Sequence, residues 1–247
     1  MGEVFTSGEK STLVVSRLDE VREIIAIFTK YPLNSTKLLN FLAFSKAFDL
    51  YTSRSKESTS KVVEEIINLK NTMNSKRTYF IMPEWYQPKI TTYWLLGFVE
   101  GEASFSVRRT SGKFELLFAL SQSAVDETLM KAIKDFFNKN IPGATNFESG
   151  VVNTYIYTPK GVNHKQVIQL VITRKDYIND VLIPFFELLV WRSKKKLDFI
   201  DWVNIFKLKA RGHHYQEEGI RILGRILSQM NNNRLSTFNT DIKVDRK

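Results

Sequence analysis

Two carboxylates stand two residues apart near the middle of the chain. Glu100 and Glu102 follow the apolar residues 94–99 and precede an alternating segment that begins at Ser104. Carboxylate oxygens are the ligands that hard divalent cations prefer. An acid at the end of a helix, opening onto a strand with basic residues, could hold such a cation beside an anionic polymer. The alternative for Glu102 is a solvated acid without a ligand.

The helix that would position these acids carries two glycines on one face. Gly97 and Gly101 are four residues apart, and residues at i and i+4 share a helix face. Each glycine costs a helix about 1 kcal/mol relative to alanine. A pair at this spacing lets another helix approach closely, so we predict a partner helix here. Glu100 is interpreted as structural, because residues at i and i+2 do not face the same way.

The segments after this helix predict an alternating set of strands and helices. A hairpin is predicted from strand 103–109, a turn at 111–113 and a return strand at 114–122. Apolar spacing predicts a helix at 126–138, strand patterns follow at 151–157 and 166–172, and three helical patterns cover 174–189, 194–209 and 216–230. The polar residues 236–247 are predicted to be frayed.

The segments before the helix repeat part of this pattern. A strand is predicted at 12–16, helices at 18–31, 35–51 and 58–73, and a linker at 78–90. Residues 37–41 (KLLNF) match 195–199 (KKLDF), and residues 73–77 (MNSKR) match 230–234 (MNNNR) at almost the same offset. Long-period similarity indicates a duplicated domain. By this spacing the first copy lacks about 60 residues at its start, including any counterpart of the glycine-bearing helix.

Composition limits the class of protein and of partner. The chain has 247 residues, of which 43% are hydrophobic and 13% aromatic, as in globular proteins. The net charge of +10 favours an anionic partner, nucleic acid first and an acidic membrane surface second. Residues 91–247 carry 23 Lys and Arg against 16 Asp and Glu, and residues 1–90 carry 13 against 10. The chain has no cysteine, no apolar run near the ~18 residues of a membrane span, and no signal-peptide core at its start.

Residues 95–103 (LLGFVEGEA) resemble the LAGLIDADG signature of homing endonucleases and their RNA-maturase relatives. Supporting segments are 118–122 (FALSQ), 126–130 (DETLM), 183–186 (IPFF), 196–202 (KLDFIDW) and the two Met-Asn-x-x-Arg endings. The resemblance covers about residues 12–235 and is to the two-motif branch of organellar introns. It implies an α+β fold with an antiparallel four-stranded sheet and packed helices. The predicted domains are a shortened first half at 1–77, a linker at 78–90, an intact domain at 91–235 and a flexible tail.

The resemblance also implies roles for particular residues. Family members pair two motif helices, and each helix delivers one acid to divalent ions such as Mg²⁺. Here that acid is Glu102, the pairing face carries Gly97 and Gly101, Lys195 and Lys37 match assisting lysines, and Gln122 matches a polar active-site residue. For both lysines the alternative is a surface lysine at a helix start. The sequence departs from the pattern at Ala103, where the signature ends in Gly, and at Ser123, where the family often has His.

In this family the sheet of each domain lies in the major groove of DNA. That groove is wide enough for a two-stranded ribbon. The predicted nucleic-acid-binding residues are Ser104, Ser106, Arg108, Lys113, His164, Lys165 and Gln166. An exposed hairpin without a ligand is the alternative. The pair His213–His214 is not predicted to bind a metal, since adjacent residues point apart and no third ligand is evident.

Three hypotheses for function remain open on the sequence. The first is a DNA endonuclease for intron homing, completed by a second copy or another chain that supplies the missing motif helix. The second is a non-catalytic RNA-binding protein, such as a maturase-like splicing factor or a component of an organellar ribonucleoprotein. The third is the product of a decaying reading frame. Resemblance places the first two in a mitochondrion or another organelle, with double-stranded DNA or structured RNA as partner and no membrane.

Overall fold

A computed structural model describes residues 1–8, 10–55, 59–110, 113–148, 150–160 and 165–231. The chain divides into two compact units, Met1–Lys89 and Ile90–Lys247. The predicted tail at 236–247 and part of the predicted turn at 111–113 lie outside the described residues. None of the described helices is long and apolar enough to cross a membrane.

The first unit combines a strand hairpin with three helices. Its elements are β1 (Glu3–Ser7), β2 (Lys10–Val14), α1 (Leu18–Lys30), α2 (Lys37–Ser53) and α3 (Thr59–Asn71). All residues of both strands are exposed. Among the described residues of this unit only Asn34, Leu38 and Ala43 are buried. The sequence predicted the three helices and one strand, but not β1, whose residues Glu3, Thr6 and Ser7 give no apolar alternation.

The second unit contains a four-stranded sheet and its covering helices. The first half consists of α4 (Thr92–Glu102), β3 (Ala103–Thr110), β4 (Lys113–Ser123), α5 (Glu127–Lys139), β5 (Asn153–Tyr157) and β6 (Val167–Ile172). The second half consists of α6 (Lys175–Tyr177), a π-helical segment (Ile178–Leu182), α7 (Ile183–Glu187), α8 (Lys195–Ala210) and α9 (Glu217–Leu227). The predicted α+β fold with an antiparallel four-stranded sheet is confirmed.

One predicted helix, 174–189, is interrupted by a π-helical segment at Ile178–Leu182. Pro184 stands at the start of α7, directly after this segment. A proline inside a helix has no N–H and clashes with the carbonyl of residue i−4, which here is Asp180. The wider π turn gives this carbonyl room, which accounts for the interruption.

The strands lie in the order β3-β4-β6-β5, and every neighbouring pair is antiparallel. One sheet face is buried under the helices, with Phe105 opposite Phe118 and Phe118 opposite Ile172. Phe105 contacts five other aromatic rings at centroid distances of 5.3 to 6.1 Å. The opposite face, here called the open face, presents Ser104, Ser106, Arg108, Glu115, Leu117, Ala119, Ser121, Asn153, Tyr155, Gln169 and Val171. The core therefore lies entirely on one side of the sheet.

Candidate functional site

The motif helix α4 ends at Glu102 and passes directly into the sheet. Its start is capped by Thr91, whose hydroxyl accepts a hydrogen bond from the Trp94 N–H at 3.3 Å. Leu95, Leu96 and Val99 bury one side of the helix. Ala103 has an extended backbone, so the chain leaves the helix immediately after Glu102. The Glu102 side chain is exposed, and no described residue donates a hydrogen bond to its carboxylate.

Gln122 lies near the end of β4 that adjoins the junction of α4 and β3. Ala103, the first residue of β3, pairs with Leu120, two residues before Gln122. Alternation along β4 places Gln122 on the same face as Leu120, whereas Ser121 is on the open face. Ser121 accepts a hydrogen bond from Gln169 Nε2 at 2.9 Å across the next strand.

Glu100 holds the turn that precedes α8. Its Oε1 accepts hydrogen bonds from the Arg192 N–H at 2.8 Å, the Ser193 N–H at 2.6 Å and the Ser193 hydroxyl at 2.8 Å. Hydrogen bonds to an ionised acceptor are stronger than neutral ones. Glu100 thus has the structural role expected for it, and it connects the motif helix to a turn more than 90 residues away.

Lys195, the first residue of α8, is anchored by a buried acid. Its Nζ lies 3.8 Å from Asp198 Oδ2, and the two side chains are only 16% and 4% exposed. Asp198 Oδ1 accepts a hydrogen bond from the Asn231 N–H at 3.0 Å, and Asn231 Nδ2 donates to the Phe105 carbonyl at 2.9 Å. The ammonium group is therefore held in place, unlike that of an ordinary surface lysine.

Lys37 lies in the first unit and is exposed. The Ser35 hydroxyl accepts a hydrogen bond from the Lys37 N–H at 3.3 Å, as the Ser193 hydroxyl does from the Lys195 N–H at 3.3 Å. The two helices therefore begin alike. The residue three positions after Lys37 is the neutral Asn40, so Lys37 has no equivalent of the Asp198 carboxylate.

The ends of the two repeats also share a local geometry. Asn74 and Asn231 both have a left-handed backbone with φ of 54°. Asn40 Oδ1 accepts the Asn74 N–H at 3.1 Å, in the way that Asp198 accepts the Asn231 N–H. Residues at matching sequence positions thus close the same kind of turn in both units.

The glycine face of α4 is not packed in the described structure. Gly97 and Gly101 are exposed, and a Cβ added at either position would have no atom within 4 Å. The neighbouring rings of Trp94 and Phe98 stack on each other at 5.0 Å between centroids. No close helix contact within the described structure accounts for the two glycines.

The predicted nucleic-acid-binding residues are distributed unevenly over the open face. Ser104 and Ser106 are half-buried on it, and Arg108 is exposed with its guanidinium 3.6 Å from Glu115. Lys165 and Gln166 are exposed just before β6. Lys113 belongs to β4, but its side chain and the whole of His164 lie outside the described residues.

Register decides which other residues share the open face. Strand pairing places Asn153, Tyr155 and Gln169 on this face. The centre of this face is apolar, at Leu117, Ala119 and Val171. Polar groups therefore lie around a centre with few hydrogen-bonding side chains.

The described residues contain no group of three or more His, Asp or Glu side chains that could hold a metal ion. A divalent cation at Glu102 would therefore take one protein carboxylate. Mg²⁺ commonly keeps several waters and binds one or two carboxylates together with substrate phosphates. A single exposed carboxylate without a protein donor fits that ligand set.

Comparison with known proteins identifies the fold and its motif. The family model for the LAGLIDADG endonuclease matches residues 95–206. The crystal structure of the LAGLIDADG homing endonuclease I-GzeII in complex with its DNA target has a TM-score of 0.75 and 27% identity, covering 94% of this chain and 80% of that one. Residues 95–206 are therefore similar in sequence to LAGLIDADG endonucleases, and the chain has the fold of a LAGLIDADG homing endonuclease.

Two curated relatives extend the comparison. The uncharacterized mitochondrial protein RF1 of Saccharomyces cerevisiae is 29% identical over 222 residues, which is 85% of this chain and 44% of that protein. The probable intron-encoded endonuclease 3 of Neurospora crassa is 25% identical over 234 residues, which is 87% of this chain and 40% of that protein. The chain thus spans less than half the length of either relative.

Replacing Glu100 by Gln is expected to lower the free energy of unfolding of the second unit by about 1 kcal/mol, because the charged acceptor of three hydrogen bonds is lost. Urea unfolding measures this change, and amide exchange should accelerate at Arg192 and Ser193. Glu187→Gln is the control, since its only described ion pair, with Lys207, is exposed and spans 3.9 Å. Equal effects of the two substitutions would contradict the anchoring role of Glu100.

Proposed function

We propose that the chain is a DNA-binding endonuclease of the intron-homing type, which hydrolyses phosphodiester bonds with Mg²⁺ or another divalent cation. The observation that carries the proposal is the exposed, unpartnered Glu102 carboxylate, at the junction of the motif helix and the open face. The DNA-bound LAGLIDADG neighbour of 27% identity supports the choice of DNA.

In this proposal Glu102 would supply one oxygen ligand to the cation, and the cation would supply a polarised water as the nucleophile. Lys195 contributes a fixed positive charge that stabilises negative charge developing on the phosphate. Its position follows from Asp198, which pairs with its ammonium, and from Glu100, which holds the preceding turn. We assign Gln122, near the end of β4 that adjoins the junction of α4 and β3, the role of an uncharged hydrogen-bonding group.

One motif helix provides one acid, so cleavage of both DNA strands needs a second acid. We propose that a second motif helix packs on Gly97 and Gly101, where the structure leaves room for a close approach. It comes from a second copy of the chain or from another polypeptide segment. The relatives in fungal introns and mitochondria support a mitochondrial location.

Binding to DNA through the open face predicts a strong dependence on salt. Affinity for a duplex should fall steeply between ~50 and 200 mM salt, since each phosphate contact releases counterions. Arg108→Ala should reduce the slope of log affinity against log salt by about one, as measured by fluorescence anisotropy. Lys139→Ala, on helix α5 away from the open face, is the control. A slope that is flat, or equally reduced by both variants, would contradict this interface.

Structured RNA is the second candidate ligand. The apolar centre of the open face at Leu117, Ala119 and Val171 offers few groups for reading base edges in a major groove. Recognition by shape and backbone needs fewer such groups. A competition assay decides between the two: displacement of duplex DNA by a structured intron RNA at lower concentration than by DNA itself would favour RNA.

Cleavage of a supercoiled plasmid tests the catalytic part of the proposal. With Mg²⁺ the protein should nick or linearise a plasmid that carries the intron-insertion site of its host gene and spare the same plasmid without that site. Chelation of the cation should stop the reaction. A plasmid that stays intact with Mg²⁺ and with Mn²⁺, under conditions where the protein binds it, would refute the nuclease function and leave the binding function standing.

A further inference from the structure

A cavity lies on the helix side of the sheet, away from the open face. It measures about 590 Å³ and is lined by Phe114, Leu116, Lys175, Phe206, Lys209, Ala210, Gly212, His214 and Tyr215. Phe114 and Leu116 belong to the alternate positions of β4 that face the core, so the cavity and the Glu102 corner are different sites. Its volume is in the range of about 300–1,000 Å³ that small-molecule sites occupy.

The charged groups of this cavity are all basic. None of its described lining residues is acidic. Burial lowers the pKa of Lys209, and the ammonium of Lys175 lowers it further, while Glu115 acts in the opposite direction. The ammonium groups of Lys175 and Lys209 repel each other in a partly desolvated environment, and an anion between them would stabilise both. A phosphate group meets this requirement.

His214 adds a hydrogen-bonding group without a partner. Its Nδ1 is buried and has no hydrogen-bond partner among the described residues. Burial, followed by the charges of Lys209 and Lys175, lowers the pKa of His214. A ring nitrogen without a protein partner is suited to a hydrogen bond with a ligand, as acceptor in one tautomer and as donor in the other.

Aromatic rings complete the lining. Tyr215 is 81% exposed, and its ring centroid lies 3.9 Å from that of His214. Phe206 and Phe114 form an apolar wall. Exposed aromatic rings stack on nucleobases whatever the sequence. The cavity therefore combines a stacking surface, an unpartnered ring nitrogen and two cations.

We propose that this cavity binds one nucleotide unit, with its phosphate between Lys175 and Lys209 and its base against Tyr215 and His214. The unit is either a free nucleoside 5′-monophosphate or an unpaired nucleotide of a strand, since both present the same groups. The proposal does not depend on nuclease activity, because none of the lining residues belongs to the Glu102 corner.

The turn that carries His214 and Tyr215 packs closely against Gly219 of α9, where there is no room for a Cβ atom. A Cβ at Gly219 would lie 1.9 Å from the His213 carbonyl oxygen, a backbone clash that cannot be relieved by a side-chain rotation. Gly219→Ala therefore displaces the turn without changing any residue that lines the cavity. Gly224, on the same helix α9, has no atom within 4 Å of an added Cβ, so Gly224→Ala is its matched control.

The test is calorimetric titration of the full chain with adenosine 5′-monophosphate, adenosine, inorganic phosphate and a single-stranded pentanucleotide. We expect the monophosphate to bind at least about tenfold more tightly than adenosine or phosphate alone. Tyr215→Ala and Lys209→Gln should each weaken it about tenfold or more, as loss of a stacked base or a phosphate contact does. Lys139→Gln and Gly224→Ala should leave it unchanged, and Gly219→Ala should weaken it.

The pentanucleotide identifies the source of the ligand. Tighter binding of the pentanucleotide, with the same response to Tyr215→Ala, assigns the cavity to an unpaired nucleotide of a strand; tighter binding of the free monophosphate assigns it to a nucleotide effector. Tyr215 is a surface residue, so the Tyr215→Ala variant should fold, and circular dichroism can check this. The proposal therefore remains testable even if Gly219→Ala does not fold. No binding of either probe at millimolar concentration, or binding that Tyr215→Ala and Lys209→Gln leave unchanged, overturns the proposal.

Discussion

Glu102→Gln is expected to slow DNA cleavage by at least about 1,000-fold, while the affinity for duplex DNA in the absence of a divalent cation changes by less than about twofold. The amide keeps the size of the carboxylate but loses the negative charge that a divalent cation requires. Stabilisation of a transition state by a bound metal is worth several kcal/mol, and about 4 kcal/mol corresponds to a thousandfold rate. Binding without the cation should persist, because Glu102 then makes no attractive contact with the DNA phosphates.

The measurement is single-turnover cleavage of a labelled duplex with saturating protein, alongside anisotropy titration in Ca²⁺ and in chelator. Glu217→Gln, an exposed acid at the start of α9, is the control and should cleave at the original rate. Glu102→Gln should also remove the increase in DNA affinity that Ca²⁺ gives the unchanged protein. If the variant cleaves as fast as the control, Glu102 is a solvated acid and the proposed metal site is wrong.

Local patterns predicted most of the second unit correctly because its elements have strong apolar periodicity. The hairpin predicted at 103–109 and 114–122 corresponds to β3 and β4, whose large buried side chains, such as Phe105 and Phe118, lie at alternate positions. Helix α5 has its apolar side chains on one face and was predicted within one residue of its ends. Strand β1 escaped prediction because all of its residues are exposed, so it has no buried face to produce alternation.

The candidate site was predictable only in part, because much of it depends on contacts between distant segments. Glu102 and the glycine face stand out from their spacing and from family resemblance. The hydrogen bonds of Glu100 to Ser193 span 93 residues, and no local pattern indicates them. Asp198 could have been suspected from its i+3 spacing to Lys195, but its burial and its bond to Asn231 required the fold. Membership of the open face likewise needed the strand register.

These contacts give the two acids of the motif different tasks. Glu100 accepts three hydrogen bonds and fixes the turn before α8, which also sets where Lys195 begins that helix. Glu102, two residues later, is left without a protein donor. One acid therefore builds the site and the other remains available to a ligand. Glu100 and Glu102 have different roles because residues two positions apart point to different sides of the helix.

The double substitution of Gly97 and Gly101 by Ala is expected to change stability and activity in opposite directions. Each added methyl group meets no atom within 4 Å in this chain. Replacing a helical glycine by alanine then stabilises the second unit by about 0.5–1 kcal/mol at each position. Against a second motif helix the same methyl groups clash, and overpacking costs about 1–3 kcal/mol for each. Association with that helix should weaken by about 30-fold to 20,000-fold, and double-strand cleavage should fall with it.

Urea unfolding of the chain alone measures the first effect, and cleavage of a linear duplex measures the second. Gly224→Ala is the matched control, since that helical glycine also has open space around its Cβ position; it should raise stability by a similar amount per site and leave cleavage unchanged. Raising the protein concentration should partly restore cleavage by the double variant if the second helix comes from another chain. A double variant that is stabilised and cleaves normally would show that the glycine face is not an interface. Gly97 and Gly101 would then behave like Gly224, for which no partner helix is proposed.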